Sequence, residues 1–287
     1  MRNNKKNKIA YLGPEATFSH QVALDLFDKK NKFVATNTIE EVFECVRDKK
    51  CDYGIIPVEN SNAGSVNMTM GIFCRKDYKL DIIQEYFSRI DFHFLSQEKN
   101  NKNIKLIYAH PMAEAQCRKW LKKNFLKIEI KNVGSNSLAA KLASKEKNTG
   151  AISTKLSSNI YNIDLKKENI EDHRDNTTRF LVIGRDKTKP TNNDKTSLLF
   201  YLKHIPGSLY KSLSPFAKNN INIIKIESRI MKIPHKSKNP SNWEYHFFLD
   251  FEGHIKDKKI KKILEEMKKY CSNLKILGSY PRGKTPW

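Results

Sequence analysis

The sequence predicts an α/β protein of at least two domains, and three observations carry that reading. Short apolar runs alternate with amphipathic stretches from Ile9 to Ile183, residues 186–195 contain no apolar side chain, and the segments after them read strand, helix, strand, strand, helix, strand. A length of 287 residues, 39% apolar and 29% charged, is enough for more than one core. No stretch approaches the roughly 18 apolar residues of a membrane span. The basic start from Met1 to Lys8 meets only residues 9–12 before Gly13-Pro14, so neither a membrane partner nor a secretory signal is expected, and the cytoplasm is the expected compartment.

Each element follows from a local pattern. Residues 9–12 read as a buried strand, Gly13-Pro14 as a loop, and 18–27 as an amphipathic helix followed by a strand near Phe33-Val34. Thr38 with Glu41 three residues on is a capping box ahead of Ile39, Val42, Phe43 and Val46, so a helix is expected from there to about Lys49. Residues 53–58 read as a buried strand that runs into the polar loop Glu59-Asn60-Ser61-Asn62-Ala63-Gly64, and such strand ends are where α/β proteins hold ligands. Strands are expected at 82–87, 92–95 and 105–109, then a helix over 111–125, whose Pro111 suits a first turn, and a strand at 127–133. Helices at 138–145 and 155–161 flank a strand at 150–153, and 180–183 closes this part.

Residues 186–195 have the composition of a linker. Beyond them, strands at 197–202, 221–230, 243–251 and 274–280 and helices at 207–219 and 257–271 make a βαββαβ module. Such a module leaves one sheet face bare, which favours dimerisation.

The 53 Lys and Arg residues against 31 Asp and Glu give a net charge of +22 and raise nucleic acid as a partner. Only ten of those cations are Arg, and the lysines are scattered among Asn and Ile rather than clustered with aromatics. Compositional drift of solvated positions accounts for that pattern, so no nucleic-acid partner is expected. The five cysteines form no CxxC pair and the eight histidines no HExxH, so reduced structural thiols and no metal site are expected.

Three polar clusters sit at strand ends or helix starts. Gly13 to His20 places hydroxyls, including Thr17 and Ser19, at a helix N-terminus, which fits an anion site and an ordinary capped turn equally. Glu59-Asn60-Ser61 follows a buried strand and reads either as a ligand loop or as a polar turn. In Asn176-Thr177-Thr178-Arg179-Phe180, Arg179 adjoins an apolar strand, where its charge needs either an anionic ligand or an internal acidic partner. His110 before Pro111 is a weaker candidate that suits a cap.

Taken in order, these clusters resemble the prephenate dehydratase family. Gly13-Pro14-Glu15-Ala16-Thr17-Phe18-Ser19 is similar to its GPxGTFS, and Gly54 to Ser61, with Gly64 and Val66, to its G-x-x-PVENS-x-x-G-x-V. His110-Pro111 with Gln116-Cys117 resembles HPxxxxQC, and Asn176 to Phe180 resembles NxTRF. The terminal module resembles the family's ACT regulatory domain through Gly207-Ser208-Leu209-Tyr210, Ile226-Glu227-Ser228-Arg229 and the strand Phe247 to Asp250. Ser208 stands where the family has the alanine of GAL, Ile230 where it has the proline of ESRP, Ala16 where it has glycine, and Ala109 where relatives often have serine. The first two put phenylalanine feedback in question; Ala16 is expected to need a negative φ.

The resemblance implies a two-lobed catalytic domain like a type II periplasmic binding protein over residues 8–185, with lobe 1 at about 8–86 and 171–185 and lobe 2 at about 87–170, then a linker at 186–195 and a ferredoxin-like ACT domain at 196–281. It implies decarboxylative dehydration of prephenate to phenylpyruvate without a cofactor, in a homo-oligomer, dimer or tetramer, regulated by L-phenylalanine. Thr178 and Arg179 are then the catalytic pair, with Thr17, Ser19, Asn60, Ser61, Gln116 and Phe180 in substrate binding and Gly207, Ser208, Leu209, Glu227, Ser228 and Arg229 in phenylalanine binding. The resemblance begins after only eight residues, at Ile9, so a monofunctional chain is expected. The competing readings are a non-catalytic amino-acid sensor on the same scaffold and, from the charge, a nucleic-acid binder.

Overall fold

The computed structural model describes residues 6–75, 79–230 and 245–284. The described residues of 1–70 and 86–180 form one compact unit, and those of 71–85 and 181–284 a second. The chain begins as alternating strands and helices: β1 (Lys8–Leu12), α1 (Phe18–Leu26), β2 (Lys32–Thr36), α2 (Ile39–Arg47), β3 (Tyr53–Asn60), β4 (Gly64–Ser65), α3 (Asn67–Phe73) and β5 (Asp81–Arg89). It continues with β6 (His93–Leu95), β7 (Leu106–Ala109), α4 (Pro111–Gln116), α5 (Arg118–Asn124), β8 (Glu129–Asn132), α6 (Asn136–Ala143), β9 (Thr149–Ser153), α7 (Lys155–Tyr161), β10 (Leu165–Lys167) and β11 (Thr177–Gly184).

Two sheets result, one for each lobe. The first runs β2-β1-β3-β11-β5, with β4 on β3. β1 lies parallel to both β2 and β3, the pairing that βαβ connections through α1 and α2 produce. Its face packs Ile9, Tyr11, Val22, Ala23, Ile55 and Phe180 into one core. The second sheet runs β10-β6-β9-β7-β8 and buries Phe94, Ile107, Ala113, Cys117 and Ile152 on one side and Leu95, Tyr108, Ala139 and Ala151 on the other.

Local chemistry sets the helix ends. The hydroxyl of Thr38 accepts from the Glu41 amide at 3.1 Å, and Glu41 Oε2 accepts in return from the Asn37 amide at 2.8 Å, one residue earlier than the usual capping box. The single helix expected over 111–125 is two. Cys117 leaves helical geometry at φ −110°, ψ 17°, and the carboxylate of Asp172 accepts from the Lys119 amide at 3.0 Å, giving α5 an acceptor of its own.

The second unit contains β12 (Asp194–Leu202), α8 (Ser208–Lys218), β13 (Ile223–Ile230), β14 (Tyr245–Glu252), α9 (Lys258–Lys268) and β15 (Cys271–Pro281). Its antiparallel sheet runs β13-β14-β12-β15, the ferredoxin-like order, over a core of Leu198, Phe200, Phe216, Leu249, Phe251, Ile260, Ile263 and Met267. Residues 243–244 of the strand expected over 243–251 lie outside the described residues. β12 begins at Asp194, so Asp194 and Lys195, expected in the linker, belong to the sheet. Asp194 accepts from the amide and hydroxyl of Thr191, both at 2.7 Å, and Lys195 Nζ meets Glu85 Oε2 at 2.8 Å with both side chains buried. At Gly278 in β15 a Cβ would stand 2.2 Å from the Ile82 carbonyl oxygen.

Candidate functional site

The end of β3 and the start of β11 are neighbours in the first sheet, and their polar residues form one network. Asn60 is its centre. Its Oδ1 accepts from the amides of Asn62 and Ala63 at 3.0 and 2.9 Å, which fixes which way the side-chain amide points. The Nδ2 therefore faces β11, donating to Asn176 Oδ1 at 2.6 Å and to Thr178 Oγ1 at 2.8 Å. Asn176 donates onward to Gln116 Oε1 at 2.7 Å, so a residue of the second lobe joins the chain. Ser61 completes the seam: its amide donates to the Thr177 carbonyl at 2.9 Å, and its hydroxyl accepts from the Thr177 amide at 3.0 Å.

Because Thr178 Oγ1 accepts from Asn60, its own hydrogen remains available to donate. Thr178 is buried, so a hydrogen bond donated there is little diluted by water. The next residue, Arg179, is 5% exposed and pairs through Nη1 with Glu59 Oε1 at 3.3 Å. Of the two partners the sequence allowed for this guanidinium, the internal carboxylate is present. Phe180, expected to touch substrate, is 2% exposed and packs in the first-lobe core with Ile9, Tyr11 and Ile55.

Thr17 and Ser19 belong to a second cluster at the start of α1. Thr17 caps the helix by accepting from the His20 amide at 3.3 Å, and Ser19 is buried in the first turn. Ala16 has φ +65°, not the negative value expected of it. Long-range bonds hold it there: its amide donates to His20 Nδ1 at 3.0 Å, and its carbonyl accepts from Thr154 Oγ1 at 2.9 Å and Ser157 Oγ at 3.3 Å. The Glu15 carbonyl likewise accepts from the Ser137 and Tyr161 hydroxyls. The second lobe thus grips this loop by two consecutive carbonyls. His20 stacks on Tyr11 with centroids 4.5 Å apart, and burial holds its pKa below the ordinary value, Glu15 opposing. His110 caps α4, its Nδ1 accepting from the Met112 amide at 3.3 Å.

Asn176 belongs to a motif, but its position as the link between Asn60 and Gln116 is a matter of sheet order, which no local pattern shows. Ser137, Thr154, Ser157 and Tyr161 went unsingled, for no motif marks a hydroxyl that serves a carbonyl more than 100 residues away.

In the second unit, Gly207, Ser208 and Leu209 line a cavity of about 1030 Å³ together with Tyr201, Tyr245 and Phe247. Gly207 has φ +79° at the N-cap of α8. Ser208 turns its hydroxyl to the carbonyls of Lys203 and Ile205 at 2.7 and 2.6 Å. Glu227, Ser228 and Arg229 are on edge strand β13 rather than in that lining, and Glu227 pairs with Lys225 at 3.3 Å and Arg229 at 3.7 Å.

Among the described residues no group of three or more His, Cys, Asp or Glu side chains could hold a metal ion, and no helix is long and apolar enough to cross a membrane. Residues 9–188 match the family model for prephenate dehydratase. The chain is 43% identical over 278 residues to the bifunctional chorismate mutase/prephenate dehydratase of Aquifex aeolicus, covering 97% of this chain and 74% of that protein. It is 36% identical to the prephenate dehydratase of Methanocaldococcus jannaschii, over 95% of this chain and 97% of that one. Its fold is similar to the crystal structure of the Arthrobacter aurescens prephenate dehydratase in complex with L-Phe, with a TM-score of 0.83, 26% identity and coverage of 96% and 90% of the two chains.

Proposed function

The chain belongs to the prephenate dehydratase family, and from that premise we propose that the network of Asn60, Gln116, Asn176 and Thr178 is where prephenate becomes phenylpyruvate. The reaction removes the ring carboxylate as CO₂ and the ring hydroxyl as water, leaving an aromatic ring. Aromatisation drives it, so the protein's work is to hold a dianion and help a hydroxide leave.

The observation that carries this reading is the Asn60 amide donating to Thr178 Oγ1 at 2.8 Å. It orients the hydroxyl so that its proton points at a bound ligand, where it donates to the departing oxygen. An alcohol does not give up its proton outright at neutral pH; the bond strengthens as negative charge builds on the leaving oxygen, which is differential stabilisation of the transition state. Arg179 cancels the charge of Glu59, which would otherwise repel a dianionic substrate, and so acts as a positioning residue. The N-terminus of α1, with Thr17 and Ser19, offers the other anion contact.

The ferredoxin-like unit is read as an ACT module that binds L-phenylalanine at the cavity by Gly207 to Leu209 and pairs with a second copy. The exposed Ile226, Ile230 and Tyr245 on β13 and β14 support that pairing. Ser208 does not crowd the cavity, because its hydroxyl is spent on two loop carbonyls. That geometry supports a phenylalanine site compatible with Ser208.

The test is to mix the purified chain with prephenate and follow phenylpyruvate with and without phenylalanine. Turnover that phenylalanine lowers supports both parts. Binding of prephenate without product favours the amino-acid-sensor reading.

A further inference from the structure

Where α2 ends, the chain brings two thiols together. Cys45 is in the last turn of α2 and partly exposed; Cys51, 2% exposed, lies two residues before β3. Between them the chain reverses: the Asp48 amide donates to the Glu44 carbonyl at 2.8 Å, Lys49 takes φ +60°, and the Cys51 amide donates to the Cys45 carbonyl at 2.8 Å. That bond sets the two residues side by side across the reversal, the closeness that a disulfide, with Cα atoms about 4.4–6.8 Å apart, needs. Neither takes part in the Asn60 network, and the dehydration needs no thiol.

We propose that Cys45 and Cys51 form a dithiol that closes into an intramolecular disulfide by exchange with a low-molecular-weight disulfide. Cys45 loses its proton to solvent, and its sulfur attacks one sulfur of the small disulfide, breaking that bond and releasing one small thiol. The Cys51 sulfur then attacks the Cys45 sulfur, gives up its own proton, and releases the second small thiol. One S–S bond is consumed and one is formed, and the protein's two electrons and two protons pass to the small molecule. The division of labour follows from burial, which pushes the Cys51 thiol up to about 11, with Cys45 beside it adding to the effect. Cys51 therefore does not start the exchange but resolves it, because its target is held in contact. Closure would lock the root of β3, the strand that carries Glu59 and Asn60 at its other end.

The experiment treats the reduced, full-length chain with hydroxyethyl disulfide at pH 8 and maps the thiols by peptide mass spectrometry, with the urea-unfolded chain as the control for reagent activity. The expected result is loss of two hydrogens from the segment holding Cys45 and Cys51, with no adduct retained. Cys51→Ala is expected to trap the mixed disulfide on Cys45. Cys45→Ser, which alters a partly exposed residue, is expected to leave Cys51 unmodified in the folded chain. A stable adduct on Cys45 of the native chain without a cross-link, or both thiols still reduced while the unfolded chain reacts, would overturn the proposal.

Discussion

The side-chain amide of Asn60 donates to the hydroxyl oxygen of Thr178 at 2.8 Å, across 118 residues of sequence, and it can do so only because the Asn62 and Ala63 amides occupy its own oxygen. The hydrogen bond that Thr178 accepts is thus oriented by two backbone amides of the loop after β3.

Thr178→Ala is expected to lower turnover by about 10²- to 10³-fold, the usual cost of removing one hydrogen-bond donor to charge that develops in the transition state. Thr178→Ser should keep most of it. Asn60→Asp is the sharper variant, since it replaces the donor facing Thr178 with an acceptor that captures the threonine proton. Its kcat should fall toward that of Thr178→Ala, read from phenylpyruvate formation, and its melting temperature should fall too, because the new oxygen also faces Asn176 Oδ1. Near-native kcat in Thr178→Ala would remove the assigned role.

Ala16 is buried with φ +65°, where an L residue costs about 1–2 kcal/mol. Glycine relieves that strain but costs roughly 0.5–1 kcal/mol in unfolded-chain entropy. Ala16→Gly should therefore raise stability by up to about 1 kcal/mol, measured by urea unfolding, whereas Ala16→Val should lower it.

Lys195 and Glu85 form an ion pair with side chains 5% and 0% exposed. Glu85 Oε1 also accepts from the Gly283 amide at 2.9 Å. Lys195→Met strands a buried carboxylate and should cost about 3–5 kcal/mol. Adding Glu85→Gln should recover much of that loss, and a double-mutant cycle in urea measures the coupling.

His20 accepts the Ala16 amide at Nδ1, and burial lowers its pKa below the ordinary 6.5. The unfolded chain thus binds the proton more tightly than the folded one. The stabilisation is present in full above about 6.5 and is lost as pH falls through that value toward the folded pKa. Unfolding free energies at pH 7.5 and 5.5 should show this decline. His20→Asn, whose side-chain oxygen can take the same amide, should flatten the part due to this residue.

Much of the architecture was legible because it is local. The strand-helix alternation follows from apolar periodicity, and Thr38 with Glu41 marked the start of α2, although the return bond went to Asn37. The break at Cys117 was not legible, since the group that starts α5 is Asp172, 53 residues downstream of Lys119. The two-residue β4 and three-residue β10 are too short to show a period, and they exist through their pairing with β3 and β6. The site divided along the same line. Asn60, Gln116 and Thr178 are legible from their motifs, but the contact between Arg179 and Glu59 is set by the pairing of β3 with β11. Ala16 ran against expectation because hydroxyls of Thr154 and Ser157, from the other lobe, hold its carbonyl.

The approach of β15 to the Ile82 carbonyl turns position 278 into a sieve. With a Cβ only 2.2 Å from a backbone oxygen there is no rotamer to try and no flexible neighbour to yield, so alanine is excluded as firmly as tryptophan. A library randomised at this codon and sorted for folded chains would come back with one letter of the amino-acid alphabet.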